Sequence, residues 1–181
     1  MAALSRNSER GRGNADGAGD ELNAVLAGCQ DELYGMLCFL VGDAEGAGAA
    51  FQQTFAQCWR YRRSAAQVVD LRVWMFRIGF FAARDARNRA RGQSAADEHP
   101  DVAPAPKTFP HNSLSQEPVE RVRQSLQRLK QAEKEVFLLR QNGKLTFAQI
   151  AETINRPEET ARARMRAALR NLQATLDGNH P

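Results

Sequence analysis

A proline-rich segment in the middle of the chain limits the fold more than any other feature. The segment from Arg91 to Pro118 holds most of the prolines of the sequence, at positions 100, 104, 106, 110 and 118. Proline lacks a backbone donor and clashes with the preceding helical turn, so a long helix cannot form here. We therefore predict two structural units joined by a flexible linker over residues 92–117.

Before the linker, apolar residues recur at helical spacing and show no strand-like alternation. The repeat predicts three helices, over about residues 22–40, 44–62 and 71–89. Amphipathic helices with short connections form bundles, so we predict a small helical bundle over residues 21–91. The preceding residues 1–20 are rich in glycine, serine and charge, and we predict that they are disordered.

After the linker, residues 118–176 have the signals of a second helical domain, which makes the predicted fold all-α. Gly143 can take the left-handed conformation that ends helices. Thr146 and Gln149 have the spacing of a capping box, which starts a helix. Pro157 suits the first position of another helix. The two short helices predict a helix-turn-helix motif, and residues 177–181 are a tail.

The last predicted helix has an apolar face and a basic face. Its apolar residues, spaced by three and four, predict a buried stripe of Ala161, Met165, Leu169, Leu172 and Leu176. Because the second helix of a helix-turn-helix lies in the major groove, Arg162, Arg164 and Arg166 are candidates for contacts with phosphates and bases. The alternative is that this face is an ordinary solvated surface of a bundle helix.

The third helix of the first domain carries many arginines among aromatic residues. Its basic residues are Arg72, Arg77, Arg84, Arg87, Arg89 and Arg91. Such a mixture can hold a nucleic-acid backbone and stack unpaired bases. The alternative is that the aromatic residues are core. We predict that Trp59, Trp74 and Phe81 are buried and that Tyr61 and Phe80 are exposed.

Composition restricts the other classes of function. The net charge of +4 fits a polyanionic partner. Three cysteines without a CxxC pair indicate small core residues in a reducing compartment, and neither they nor the histidines indicate a metal site. No signal peptide and no membrane-length apolar run is evident. We predict a cytoplasmic protein with no catalytic residues, metal or cofactor, and not an enzyme.

Two motifs resemble bacterial RNA polymerase sigma factors of the sigma-70 family, in the small extracytoplasmic-function group. The segment "LRVWMFRIGFFAARDARNRAR" (Leu71 to Arg91) resembles the promoter-melting helix of region 2. The segment from Leu129 to Leu172 resembles region 4, including the Pro-Glu-x-Thr start of the recognition helix. The resemblance extends back to Leu33 and so spans nearly the whole chain outside the predicted tails and linker.

The resemblance implies a protein that binds core RNA polymerase and directs it to promoter DNA, with region 2 over residues 21–91 and region 4 over residues 118–176. It implies contacts with the −35 element by Thr160, Arg162, Ala163, Arg164 and Arg166. It implies contacts with the −10 element by Arg62, Arg63, Phe80, Arg84 and Arg87. It implies contacts with core polymerase by Ala49, Gln52, Gln53 and Ala56. An anti-sigma factor is a further possible partner, and no membrane insertion is implied.

Two other functions are open at this stage. One is a helix-turn-helix regulator that binds duplex DNA without polymerase. The other is a degenerate sigma-like protein that binds a partner but starts no transcription. Two acidic residues that are usual in the family's polymerase-binding segment are absent around Gln52, which keeps the second alternative open.

Overall fold

The computed structural model describes residues 6–62, 68–94 and 116–176, and the regular secondary structure within them is helical. These residues contain seven helices and no strand, so the predicted all-α class is confirmed. Most of the predicted linker, residues 95–115, and the tail 177–181 lie outside them. In chain order the helices are α1 (Arg6–Val41), α2 (Ala44–Arg60), α3 (Leu71–Ser94), α4 (Gln116–Arg128), α5 (Gln131–Gln141), α6 (Phe147–Ile154) and α7 (Glu158–Leu176).

The first three helices form a bundle that follows the predicted pattern. Between α1 and α2 the chain turns at Gly42, whose φ of 101° suits glycine. Asp43 then caps α2, because its carboxylate accepts a hydrogen bond from the Gly46 amide at 2.6 Å. The apolar faces of the three helices meet in one core, whose fully buried members include Leu33, Met36, Leu37, Met75 and Phe76.

Helix α1 begins much earlier than the sequence predicts. Residues 6–20, which we predicted to be disordered, are helical. A packing contact accompanies this extension: Gly19 is buried, and a methyl group placed on it would lie 3.4 Å from the Trp59 ring of α2. Composition alone could not reveal this contact, because it joins residues forty positions apart.

One segment of α1 corrects the prediction about apolar runs. Gly19–Val41 is long and apolar enough to cross a membrane by length and composition, with a mean hydropathy of 1.4. A core helix of this kind passes the same test. Its residues Leu22, Leu33, Met36 and Leu37 are fully buried against the rest of the protein, so the segment carries no argument for membrane insertion.

The second group of helices contains the predicted helix-turn-helix. Thr146 and Gln149 form both hydrogen bonds of a capping box at the start of α6, as predicted. Asn155 ends α6 in the left-handed conformation, with φ of 52°. Gly143, however, does not have a positive φ, and the prediction for it is wrong. Lys144 takes the left-handed conformation instead, at φ 59°.

The two groups of helices pack directly against each other. A single cluster of buried residues joins Leu37 and Phe76 of the first group to Val136 and Leu139 of α5. In this cluster α5 packs on α1, and α3 packs on both α1 and α2. The buried side chains of α3 extend over roughly 200° of its circumference at 100° per residue. A sequence pattern that assumes one buried stripe per helix cannot anticipate this.

The second covered side of α3 reverses two predictions about its aromatic residues. Phe80 is 2 % exposed and lies in the core, whereas we predicted it to be accessible. Phe81 is 42 % exposed, whereas we predicted it to be core. At 100° per residue, Phe81 lies near the middle of the narrow arc of α3 that no other helix covers. Trp74 is half-buried against the core, in line with the prediction.

Several apolar residues near helix ends are more exposed than predicted. Trp59 is 40 % exposed, whereas we predicted it to be core. Tyr61 is 52 % exposed, as predicted. In α7, Ala161 and Met165 are buried as predicted. Leu169 and Leu176 of the predicted stripe are exposed, because they line an open apolar groove between α4, α5 and α7.

Candidate nucleic-acid interface

Helix α7 presents a basic face at the position that a recognition helix occupies. Ala161, Met165 and Ala168 fix the rotation of the helix, because they are buried against α4, α5 and α6. At 100° per residue, Arg166 lies toward the opposite side of the helix and Arg162 on its flank, and both are exposed. The local sequence produces this arrangement: the capping box starts α6, the left-handed Asn155 ends it, and α7 follows after the turn.

Two acidic residues of the first turn of α7 hold the exposed arginines. Arg162 donates to the Glu158 carboxylate from Nε at 3.1 Å, and its guanidinium lies 4.8 Å from the centre of the Phe147 ring. Arg166 donates to Glu159 at 3.1 Å. Acidic residues at a helix N-terminus are favourable, and here they also orient two side chains that the sequence predicts to contact DNA.

The other predicted −35 residues differ in exposure. Ala163 is exposed, whereas Thr160 and Arg164 are half-buried beside the buried stripe. Arg164 forms no ion pair within the described part of the chain, so its guanidinium has no fixed anionic partner there. All five predicted residues therefore lie on or beside the outer face of one helix, and their DNA contacts stay predictions.

The predicted −10 residues are not brought together in the same way. Arg84 is exposed on the uncovered arc of α3. Arg62 lies over the Trp59 ring, 4.7 Å from its centre, at the end of α2. Arg87 is half-buried and paired with Glu135 of α5 at 3.1 Å. Phe80 is buried and cannot stack on a base in this conformation, and Arg63 lies outside the described residues.

The predicted polymerase-binding residues share one face of α2. Ala49, Gln52 and Ala56 are exposed, one helical turn apart. Gln53 is half-buried and accepts a hydrogen bond from Arg89 of α3 at 3.3 Å. This face is weakly charged, and its binding to polymerase stays a prediction.

Sequence reasoning missed two residues at these surfaces. Phe81, rather than Phe80, is the aromatic residue that α3 exposes beside Arg84. Glu135 reaches across from α5 to Arg87. The sequence could have indicated that Phe81 is exposed only if both covered sides of α3 had been known. No signal in the sequence indicates the contact of Glu135.

The cysteines have the character of core residues. Cys29, Cys38 and Cys58 are free thiols and all three are buried. Burial raises the pKa of the Cys58 thiol to about 12, and burial also raises the pKa values of Cys29 and Cys38. Within the described residues, no group of three histidine, cysteine or acidic side chains could hold a metal ion.

Comparison with known proteins identifies the second group of helices. Residues 125–174 match the family described as sigma-70, region 4. This range contains α5, α6, all but the last two residues of α7, and the basic face described above.

This second group of helices is similar to region 4 of the sigma-70 family.

The fold of the whole chain is also shared with solved structures. One is CnrH in complex with the cytosolic domain of CnrY, with 19 % identity, a TM-score of 0.61, and coverage of 93 % of this chain and 96 % of that chain. Another is the sigma factor RpoE in complex with the anti-sigma factor NepR from Bartonella quintana, with 21 % identity, a TM-score of 0.63, and coverage of 89 % and 97 %. No curated protein matches the chain. The family resemblance predicted from the sequence is confirmed.

Proposed function

We propose that this chain is a sigma factor that binds core RNA polymerase and directs transcription initiation at a set of promoters. The observation that carries the proposal is the basic outer face of α7 within a region 4 domain. In this function α7 lies in the major groove of the −35 element, where arginine reads guanine and contacts phosphates. Such a protein acts in the cytoplasm, is not an enzyme and does not enter the membrane.

The first group of helices supplies the other two contacts of the proposed function. The α2 face of Ala49, Gln52 and Ala56 binds core polymerase. Helix α3 binds the unpaired −10 strand through Arg84, and through Arg87 once this residue is released from Glu135. The family resemblance and the shared fold of the first group support this division of tasks.

An anti-sigma factor is part of the proposal as a partner. The two similar structures named above each contain a second protein, and in one case that protein is named an anti-sigma factor. The open apolar groove between α4, α5 and α7, with exposed Val122, Leu169 and Leu176, is the surface of region 4 best suited to an apolar partner helix.

The decisive experiment is run-off transcription with the purified chain and core polymerase on genomic DNA fragments, followed by mapping of the transcript starts. We expect defined start sites that share sequence near −35 and −10. A chain that binds duplex DNA but not core polymerase would be a helix-turn-helix regulator. A chain that binds polymerase but yields no start site would be a degenerate sigma-like protein.

Two substitutions test the division between the domains on a promoter mapped in this way. Arg164→Ala should weaken binding to the −35 duplex by about 1–3 kcal/mol, the usual range for a lost base contact. Arg84→Ala should leave duplex binding unchanged and reduce promoter opening, measured by permanganate reactivity of unpaired thymines. Arg128→Ala, an exposed change of equal charge on α4, is the control. Identical defects of the two variants would contradict the proposed division.

A further inference from the structure

An acidic and a basic side chain are paired on the outward face of α7. Ala161, Met165 and Ala168 are buried, and they define the inward direction of the helix. At 100° per residue, Glu159 and Arg166 both lie within about 50° of the opposite direction. Arg166 donates to the Glu159 carboxylate at 3.1 Å, and the two side chains are 59 % and 76 % exposed. The pair therefore projects from the protein where DNA would lie.

The pair spans two turns of the helix. Its partners are seven residues apart, which is a rise of about 10 Å. Side chains on a helix lean toward its N-terminus, so Arg166 extends back along the outer face and meets Glu159. The exposed Ala163 lies between them on the same face, and its methyl group is too small to cover them. The guanidinium and the carboxylate thus lie side by side at the N-terminal half of α7, the part of a recognition helix nearest the bases.

The other acid–arginine pair of α7 is arranged differently. Glu158 pairs with Arg162 one turn further along the helix. The Arg162 guanidinium also lies 4.8 Å from the centre of the Phe147 ring of α6. That pair is therefore held on the flank of α7 against α6, whereas Glu159 and Arg166 stand on the outward face.

A capping role does not account for the position of Glu159. A residue that caps a helix accepts a hydrogen bond from an amide of the first turn. In the described part of the chain, the Glu159 carboxylate is bonded to Arg166 alone, and the amides of Thr160 and Ala161 donate to the main-chain oxygen of Pro157. The helix dipole favours an acid anywhere in this turn. It does not explain an acid that faces outward, where DNA phosphates would repel it.

A paired arginine and carboxylate match one base pair in the major groove. The edge of a G·C pair presents two acceptors on guanine, N7 and O6, and then the N4 amino donor of cytosine. Arginine supplies two donors and the carboxylate supplies an acceptor, in the same order. An A·T pair alternates acceptor, donor and acceptor and ends in a methyl group, so the same two side chains cannot satisfy it.

We propose that Glu159 and Arg166 act as one unit that reads a single G·C pair of the −35 element, with Arg166 on the guanine and Glu159 on the cytosine. Such recognition rests on the proposed function in one respect, namely that α7 lies in the major groove. Glu159 adds specificity more than affinity. It positions the guanidinium, and its carboxylate disfavours every duplex that offers no amino donor at this place, because it is then desolvated without a partner.

The experiment measures preference and affinity separately in the full-length chain. The parent chain first selects duplexes from a library of randomised sequence, and the selected motif is sequenced. The Kd is then measured for the selected duplex and for every single base-pair replacement in the motif, at one fixed salt concentration because binding to DNA depends on salt. The same measurements are made with Glu159→Ala, Arg166→Ala and the double variant.

In the parent chain we expect one G·C pair whose replacement raises the Kd about tenfold. Glu159→Ala should remove most of this penalty, and it should tighten binding to the replaced duplexes because a negative charge has left the groove. Arg166→Ala should lose the preference at the same base pair. The double variant should discriminate as poorly as either single variant and no worse, because the two residues act together on one base pair.

The matched control is Glu45→Gln, which removes the same charge from an exposed position of α2, in the first group of helices. It should change neither the preferred base pair nor the penalty for its replacement. Circular dichroism checks that each variant is folded. Because Glu159 and Arg166 are both exposed, their replacement leaves the core intact.

Three results would overturn the proposal. The first is a parent chain that selects no G·C pair whose preference depends on Glu159. The second is a Glu159→Ala variant that weakens binding to all duplexes by the same factor, as loss of a structural contact would. The third is loss of preference at different base pairs in Glu159→Ala and Arg166→Ala. Failure of the chain to bind core polymerase would instead refute the sigma function, and the duplex measurements would still report what the pair reads.

Discussion

At the scale of single residues, position on a helix decides more than residue type. Arg84 and Arg87 are three residues apart on α3, but Arg84 is exposed and Arg87 is half-buried against Glu135. Phe80 and Phe81 are neighbours in sequence, but one is core and the other is solvent-exposed. In each case a separation of one to three positions along the helix places the side chains on different faces, because successive residues are 100° apart.

Two glycines give a matched test at this scale. A methyl group on Gly143 would lie 2.6 Å from Cδ1 of Leu145 and 2.8 Å from the main-chain oxygen of Leu139. We expect Gly143→Ala to destabilise the protein by about 1–3 kcal/mol, the usual cost of overpacking. Gly48 in α2 has open space, so Gly48→Ala should stabilise by about 0.5–1 kcal/mol. Urea unfolding measures both, and changes of the same sign would contradict the prediction.

At the scale of elements, the recognition helix depends on the helix before it. Helix α6 has eight residues, a length that is unstable alone in water. Its start is fixed by the capping box of Thr146 and Gln149, and its buried residues Ile150 and Ala151 anchor it in the core. The position of α7 against α6 then sets the direction of the basic face.

The capping box gives a prediction for this element. Thr146→Ala removes the hydroxyl that accepts a hydrogen bond from the Gln149 amide, and it should cost about 1 kcal/mol. Thr146→Ser keeps the hydroxyl and should cost little. Hydrogen exchange of the Gln149 amide and thermal unfolding measure the difference. Equal stability of the alanine and serine variants would show that the box contributes nothing.

At the scale of the whole molecule, the two groups of helices share one core. The buried cluster that joins Leu37, Phe76, Val136 and Leu139 has no boundary between the groups. Packing of this kind couples the unfolding of its parts, in contrast to domains that touch only through a small polar interface. The packing of α5 on α1 therefore also affects the stability of the second group of helices.

We expect the chain to unfold in a single thermal transition in which the calorimetric and van't Hoff enthalpies agree. Glu135→Gln should lower the midpoint, at roughly 2–4 °C for each kcal/mol lost. Scanning calorimetry measures both, and Glu45→Gln is again the control for charge. Two resolved transitions in the parent chain would contradict the shared core.

The sequence by itself determined the helical class, most helix positions and the helix-turn-helix. Those features follow from local rules: apolar spacing, the capping box of Thr146 and Gln149, and the breaks at Gly42 and Asn155. The family resemblance likewise rests on local motifs. These rules work because each concerns residues within a few positions of one another.

Only the tertiary structure decided which faces are covered. Burial of Phe80, exposure of Phe81, the helical extension before Leu22 and the Arg87–Glu135 pair all depend on contacts between residues distant in sequence. A helix that packs on one neighbour has one buried stripe, and α3 packs on neighbours on two sides. The spacing of apolar residues along α3 does not reveal how many neighbours the helix packs on. The sequence pattern therefore could not distinguish a helix with one covered side from a helix with two.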